Sequence, residues 1–321
     1  MLIFATIIGR SAMRILVLGA GGIGGYFGAR IHAAGGDVTF LVRPARAAQM
    51  RENGLKVTSP SGDLQITPKV LTGDELNTQF DVIILSCKSY DLESAIEAIA
   101  PAVGEESVIL PLLNGVLHID TLVARFGSER VLGGVAFISV MLAPNGEIKH
   151  LYKLHRLFAG SRTPQPPKWV QPLAELLSSS GIEFNLSDNI DQAMWDKIVF
   201  LSTLAGSTCT FRASIGDILS TVAGGTFITD MLAECARIAA VSGYPVSESQ
   251  LAAYRKQLTE HGSGLMASML RDIERGGPTE ADHILGDMVV RAQANAVDAP
   301  MLRLAYSHLQ AYDFRRKAAA K

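Results

Sequence analysis

The segment Gly19-Ala20-Gly21-Gly22-Ile23-Gly24 fits the spacing G-x-G-x-x-G. Glycines at these places permit a tight turn and let backbone N–H groups approach a pyrophosphate at the positive end of a helix. Alone the hexapeptide is weak evidence. Here an apolar run, MRILVLG over 13–19, precedes it, and the helical pattern Ile23, Phe27, Ile31 follows, which is the setting that dinucleotide binding needs. The next apolar run ends Leu41-Val42-Arg43-Pro44-Ala45-Arg46. A site for NAD usually carries an acid there for the ribose 2′-OH. This chain has none and offers two arginines, whose guanidinium groups suit a 2′-phosphate. NADP(H) is therefore the expected cofactor, with Arg43 as its reader. The alternative is that Arg43 and Arg46 are solvated surface charges. Lys88, just past the apolar run 80–87, either adds positive charge beside the cofactor or is a loop lysine.

Two ionisable residues stand out in the second half. Lys197 lies in Met194-Trp195-Asp196-Lys197-Ile198-Val199-Phe200. Pattern alone makes a lysine there a snorkelling surface residue. Glu280 closes Gly276-Gly277-Pro278-Thr279-Glu280 at the start of a helical pattern, where capping is the ordinary role. Glu147…His150 and Glu280…His283 have E-x-x-H spacing. A di-iron bundle needs both pairs on helices, and Glu147 follows a Pro-Asn-Gly turn that points to a strand, so no metal site is expected. Neither a G-x-S-x-G elbow nor a Ser-His-Asp order suggests a hydrolase.

The elements that must position these residues fall into two textures. Up to about residue 160, apolar strands (13–19, 37–42, 80–87, 107–113) alternate with helical patterns (23–35, 45–53, 91–100), which implies βαβ units and a mostly parallel sheet. Ser-Pro-Ser-Gly at 59–62 and Pro144-Asn145-Gly146 mark hairpins. A proline-rich break, TPQPPK at 163–168, then leads to helices over 190–209, 225–242, 247–260, 264–274, 281–296 and 301–317. The boundary lies between 165 and 188. The expected organisation is an N-terminal extension over 1–12, a Rossmann-type α/β dinucleotide-binding domain over 13–180, and an all-helical domain over 181–321.

Composition narrows the classes. The 321 residues amount to about two domains. Apolar residues make up 48% and charged residues 19%, so the chain can bury cores and is not globally disordered. Net charge of −2 offers no basic field for nucleic acid or anionic lipid. The run over residues 2–8 is too short to span a membrane and its arginine follows rather than precedes it, unlike a signal peptide. Three cysteines, none in a C-x-x-C pair, fit a cytoplasmic protein without a disulfide framework. The helical half could also present a homodimer interface, although apolar helices serve its own core in any case.

Together the motifs resemble the ketopantoate reductase (2-dehydropantoate 2-reductase) family. The resemblance runs from Met13 to about Phe314. It is carried in order by RILVLGAGGIGGYFGARI (14–31), LVR (41–43), the lysine of SCKSYD (86–91), LLNGV (112–116), MWDKIVF (194–200) and SMLRDIERGGPTEAD (268–282). The last is the most telling, because the glycine turn is common to many dehydrogenases. The resemblance implies a Rossmann domain followed by a helical domain, and NADPH-dependent reduction of 2-dehydropantoate to (R)-pantoate on the way to pantothenate and coenzyme A. It implies that Lys197 is the catalytic lysine, that Glu280 binds substrate and organises the lysine, that Asn114 lies near nicotinamide and substrate, and that Ser268 binds substrate. The chain departs from the family at Leu201, Ala205 and Leu265, where well-studied members carry asparagines. Losing such amides can alter specificity strongly. Ser202, Ser207 and Thr208 are nearby candidates to replace them, although helical geometry turns Ser202 to another face. A more apolar 2-oxo acid is the alternative substrate, and a non-catalytic NADP(H)-binding sensor the alternative from another class.

Overall fold

The computed structural model describes residues 13–319. The expected N-terminal extension over 1–12 lies outside the described residues. The described chain forms two compact units. The first runs through Cys87 and takes in Asp91–Leu113 and Leu122–Asp188. The second takes in Lys88–Tyr90, Asn114–Thr121 and the chain from Asn189 onward. Two short inner segments thus cluster with the later helices, so no single cut in the sequence separates the units.

The first unit begins with β1 (Arg14–Leu18), α1 (Gly22–Ala33), β2 (Asp37–Leu41), α2 (Pro44–Asn53), β3 (Leu55–Thr58), β4 (Leu64–Ile66), β5 (Lys69–Leu71) and β6 (Phe80–Leu85). It continues with α3 (Leu92–Ile99), β7 (Val103–Pro111), α4 (Leu117–Phe126, of which the part from Leu122 belongs to this unit), β8 (Gly133–Leu142), β9 (Ile148–Gly160), α5 (Val170–Ser179) and β10 (Glu183–Leu186). One sheet has the order β5-β2-β1-β6-β7, and every pairing in it is parallel. Parallel strands covered on both faces read as continuous apolar runs. Ile15, Leu16, Val17, Val82 and Ile83 are accordingly inaccessible to solvent. The strand order turns back between β1 and β6. Their carboxyl ends form the switch point at which open α/β sheets bind ligands.

The second sheet is mixed. It has the order β10-β9-β3-β4, with β8 also paired to β9. Its two antiparallel pairs, β3–β4 and β8–β9, are the hairpins marked by Ser-Pro-Ser-Gly and Pro-Asn-Gly. Gly146 sits at φ +85° in the second turn, a conformation that glycine adopts without a Cβ penalty. The expectation of one mostly parallel sheet therefore describes only half of the strands. α5 and β10 follow the proline-rich break and were not legible, since each is short and β10 is largely exposed.

The second unit is helical: α6 (Ile190–Phe211), α7 (Ile215–Leu219), α8 (Gly224–Val241), α9 (Glu248–Leu258), α10 (Ser268–Glu274), α11 (Asp287–Ala294) and α12 (Pro300–Ala319). The longest, α6, starts where the Asn189 side chain accepts a hydrogen bond from the Gln192 N–H, a standard N-cap. It stops at Arg212, whose backbone turns left-handed at φ 53°. From Ser202 to Cys209 every residue of α6 is buried, as expected for a helix with neighbours on all sides. It packs against α8, α10 and α12. The Glu234 carboxylate of α8 accepts from the N–H groups of Met301 (3.1 Å) and Leu302 (2.9 Å), so α12 is capped from a neighbouring helix. A π turn over Asp282–Gly286 leads into α11. A Cβ on Gly286 would stand 2.9 Å from the Tyr306 ring, so this turn needs glycine to pack. Among the described residues no helix is long and apolar enough to cross a membrane. Among the described residues no disulfide joins Cys87, Cys209 or Cys235.

Candidate active site

In the first unit the glycine turn joins β1 to α1. Gly19 sits at φ +86°, which lets the chain leave the strand and turn at once. Gly21 is the N-cap of α1 and, lacking a side chain, leaves the first N–H groups of the helix without a side-chain cap. A Cβ built on it meets nothing within 4 Å, so the backbone there faces open space. Gly24 is the opposite case. Its missing Cβ would strike the Ser86 hydroxyl and stand 2.5 Å from the Gly19 carbonyl oxygen, which brings α1 close to the strand ends. Ser86 Oγ donates to the Leu18 carbonyl at 3.1 Å and ties β6 to the same turn. Backbone N–H groups at a helix start beside open space form a cradle that fits a dinucleotide pyrophosphate. Ala20, Gly22 and Ile23 complete the turn.

The two arginines after β2 divide. Arg46 turns inward: its guanidinium donates to the Ala20 carbonyl at 3.1 Å and to Gln49 Oε1 at 2.6 Å. It braces the glycine turn from behind. Arg43, the N-cap residue of α2, is 83% exposed and has only a 3.6 Å ion pair with Asp91. Such exposed pairs are worth little, so its guanidinium stays available to an anion.

In the second unit Lys197 lies on α6. Its Nζ donates to Asn114 Oδ1 at 2.9 Å. Burial pushes its pKa down to about 8, while the Glu280 charge pulls the other way. Asn114 stands three residues past the end of β7 and precedes α4. Glu280 is buried, immediately before the helical turn at Ala281. One carboxylate oxygen accepts from the Ser89 N–H at 3.0 Å and the other from Lys88 Nζ at 3.2 Å. Lys88 also donates to Asp272 Oδ2 at 3.0 Å. Burial disfavours the Lys88 charge, but Glu280 and Asp272 outweigh it and raise its pKa. A chain of charges thus joins Asp272, Lys88, Glu280 and Lys197. The loop that carries Glu280 is held by α12: Tyr312 Oη donates to the Gly277 carbonyl at 2.8 Å, and the Thr279 hydroxyl bonds the Asp313 carboxylate.

Lys197, Leu201, Ala205 and Thr208 follow one another at helical spacing and share a face of α6. At its far end the Thr208 hydroxyl accepts from the Ala267 N–H at 3.3 Å, next to Ser268, the exposed first residue of α10. Ser202, Ser207 and Thr208 are fully buried. The Ser207 hydroxyl faces the Met231 sulfur and the Thr208 hydroxyl donates to the Leu204 carbonyl. Of the three, Thr208 shares the lysine face of α6 by helical spacing.

Lys88, expected beside the cofactor, has its ammonium on the two carboxylates of the lysine cluster. Arg46, weighed from the sequence with Arg43 as a 2′-phosphate partner or a solvated charge, is instead turned onto the Ala20 carbonyl and Gln49. Asp272 joins the lysine cluster without having been singled out from the sequence, because an acid in a short helix carries no signal of its own. The E-x-x-H pairs are engaged elsewhere: Glu147 with Thr58 and Lys56, His150 with Ser59, and His283 with His118.

Comparison with known proteins agrees across both units. The family model "Ketopantoate reductase PanE/ApbA" matches residues 15–162, and its C-terminal counterpart matches residues 189–313. The uncharacterized oxidoreductase YkpB of Bacillus subtilis is 36% identical over 94% of this chain and 99% of its own. The crystal structure of 2-dehydropantoate 2-reductase from Methylococcus capsulatus is 27% identical with a TM-score of 0.85, over 95% of this chain and 98% of that one. A D-mandelate dehydrogenase solved with NADH and anilino(oxo)acetate superimposes equally well, TM-score 0.85 over 95% and 99% of the two chains. At 22% identity it speaks for the fold alone. With family matches in both halves and a relative at this identity over nearly the whole length, the chain belongs to the ketopantoate reductase family.

Proposed function

We propose that this protein is a cytoplasmic NADPH-dependent reductase of a small 2-oxo acid, with 2-dehydropantoate as the lead substrate and (R)-pantoate as its product. In this reading the first unit binds the dinucleotide, and the second, with its inner segments Lys88–Tyr90 and Asn114–Thr121, carries the substrate chemistry. The observation that carries the reading is the Lys197 ammonium, held on Asn114 Oδ1 at 2.9 Å with its pKa pushed down to about 8. A cation so poised is charged at neutral pH yet parts with a proton readily, as a general acid must.

The turn from Gly19 to Gly24 holds the pyrophosphate on backbone N–H groups, and Arg43 meets the 2′-phosphate. NADPH bound there supplies a hydride to the 2-oxo carbon. Lys197 hydrogen-bonds the ketone oxygen, stabilises the negative charge developing on it and donates the proton that completes the hydroxyl. The carbonyl thus gains one hydride at carbon and one proton at oxygen. Asn114 orients the ammonium. Glu280 keeps it charged, and Lys88 and Asp272 in turn fix Glu280. Ser268 serves as a hydroxyl partner for the substrate. Retention of both Lys197 and Glu280 speaks against a non-catalytic sensor.

A second reading, a more apolar 2-oxo acid, is favoured by Leu201 and Ala205 on the lysine face of α6. Both readings meet one assay: NADPH oxidation at 340 nm with 2-dehydropantoate, pyruvate, 2-oxoisovalerate and a bulkier apolar 2-oxo acid. A kcat/KM of at least about 10⁴ M⁻¹s⁻¹ for 2-dehydropantoate alone supports the first reading. Faster turnover of the apolar acid supports the second. No turnover of any acid, beside tight NADPH binding, sinks both in favour of the sensor.

A further inference from the structure

His118 and His283 are buried imidazoles to which the proposed chemistry assigns nothing. His118 Nδ1 lies 3.1 Å from His283 Nε2, and the two rings are inclined by only 23°. His118 stands in the first turn of α4. His283 stands in the π turn, an irregularity that often marks functional sites. His283 is also hydrogen-bonded to the Asn114 backbone. Gly115, at φ +91°, lies against the same ring: a Cβ there would stand 2.7 Å from His283 Cδ2 and 3.0 Å from Nε2. The Asn114–Gly115 peptide is thus fitted to the edge of an imidazole, and Asn114 is the residue whose side chain accepts the Lys197 ammonium. The same π turn reaches Glu280, whose carbonyl accepts from the Ile284 N–H at 3.0 Å.

We propose that His283, seated against His118, is a positioning residue that fixes the Asn114–Gly115 peptide and, through it, the Lys197 ammonium. This rests on the reading of Lys197 as the proton donor. Burial disfavours the His283 charge and outweighs the attraction of Glu280 and Asp287, so its pKa lies below the ordinary value. Asp287 is itself committed to Arg291, at 2.9 Å. The role of the ring pair is geometric.

The test is a pH titration of the full chain labelled with ¹³C at the lysine side chains, followed by NMR, with the Lys197 signal assigned from Lys197→Ala. Wild type is expected to titrate near 8. Loss of the Asn114 acceptor removes a hydrogen bond that favours the charged form. His283→Ala should therefore lower the Lys197 titration by about 1 pH unit and kcat by about tenfold, with KM for the cofactor unchanged. His283→Gln, whose amide can donate to the Asn114 carbonyl, should restore both. A folded His283→Ala that titrates as wild type does overturns the proposal. Where His283→Ala fails to fold, His118→Phe keeps the bulk and removes the hydrogen bond to His283 Nε2. A smaller shift in the same direction then supports the proposal, and an unmoved titration overturns it. Because the titration is read in the free protein, it decides the positioning role even if no 2-oxo acid is turned over, an outcome that would count against the proposed function instead.

Discussion

The glycine turn and the lysine cluster are built by different means. At the turn, the backbone acts: Gly19 supplies an unusual φ, Gly21 faces open space, and Gly24 permits close approach of helix to strand. Around Lys197, side chains act, helped by the Ser89 N–H, and they come from four stretches of chain: Lys88, Asn114, Lys197 itself, and the segment from Asp272 to Glu280. The first arrangement is contiguous and depends on residues that lack side chains. The second is dispersed and depends on charges that tune one another. A change at the turn should therefore act on binding and packing, and a change in the cluster on the chemical step.

The sharpest way to break this division is Lys197→Ala. It should lower kcat by about 10²- to 10⁴-fold, the scale of lost general-acid catalysis, with NADPH affinity by fluorescence titration unchanged. An equal loss of NADPH affinity would merge the two sites' roles. Next, Arg43→Ala should raise KM for NADPH by about ten- to a hundredfold, the worth of a hydrogen bond to a charged group, and leave KM for NADH nearly unchanged. Equal effects on both would remove Arg43 as the reader of a 2′-phosphate.

The pH dependence sharpens the cluster's side. Lys197 must be charged to donate, and its pKa lies near 8. Above that pH, kcat/KM for the 2-oxo acid should fall about tenfold per pH unit, because deprotonation removes the acid. A profile flat to pH 10 would assign the proton elsewhere. Gly24→Ala tests the turn's side. The new methyl meets the Ser86 hydroxyl and the Gly19 carbonyl, so denaturant unfolding should show a loss of about 1–3 kcal/mol, with the Lys197 titration unmoved. The smallest effect is expected from Leu201→Asn. An amide on the lysine face should raise kcat/KM for 2-dehydropantoate severalfold relative to an apolar 2-oxo acid, and no change in that ratio would take position 201 out of specificity.

Legibility followed the same division. The turn could be read because strand, glycines and helix are neighbours in sequence, and because buried parallel strands write themselves as unbroken apolar runs. Both hairpins were legible from their turn residues. Lys197 and Glu280 were not marked by pattern: a lysine in an apolar helix and a glutamate before one have ordinary explanations, and only the family resemblance singled them out. The pairing of Lys88 with Glu280 and Asp272 joins residues more than 180 positions apart, which no local periodicity records. His283 left one trace, its E-x-x-H spacing from Glu280, and that spacing pointed toward a metal rather than toward His118.

What the sequence by itself determined is the local part. A Rossmann-type half precedes a helical half, a glycine-rich turn sits at residues 19–24 between strand and helix, and arginines stand where an acid would favour NAD. These follow from backbone preference and apolar periodicity, which act over a few residues. Tertiary structure alone decided which charges share an environment. It set Arg46 behind the turn and left Arg43 exposed. It placed Lys88 on Glu280, lowered the Lys197 pKa by burial, and fitted two histidines to the peptide of Asn114. Electrostatics and desolvation depend on distance through space, and distance along the chain does not fix it.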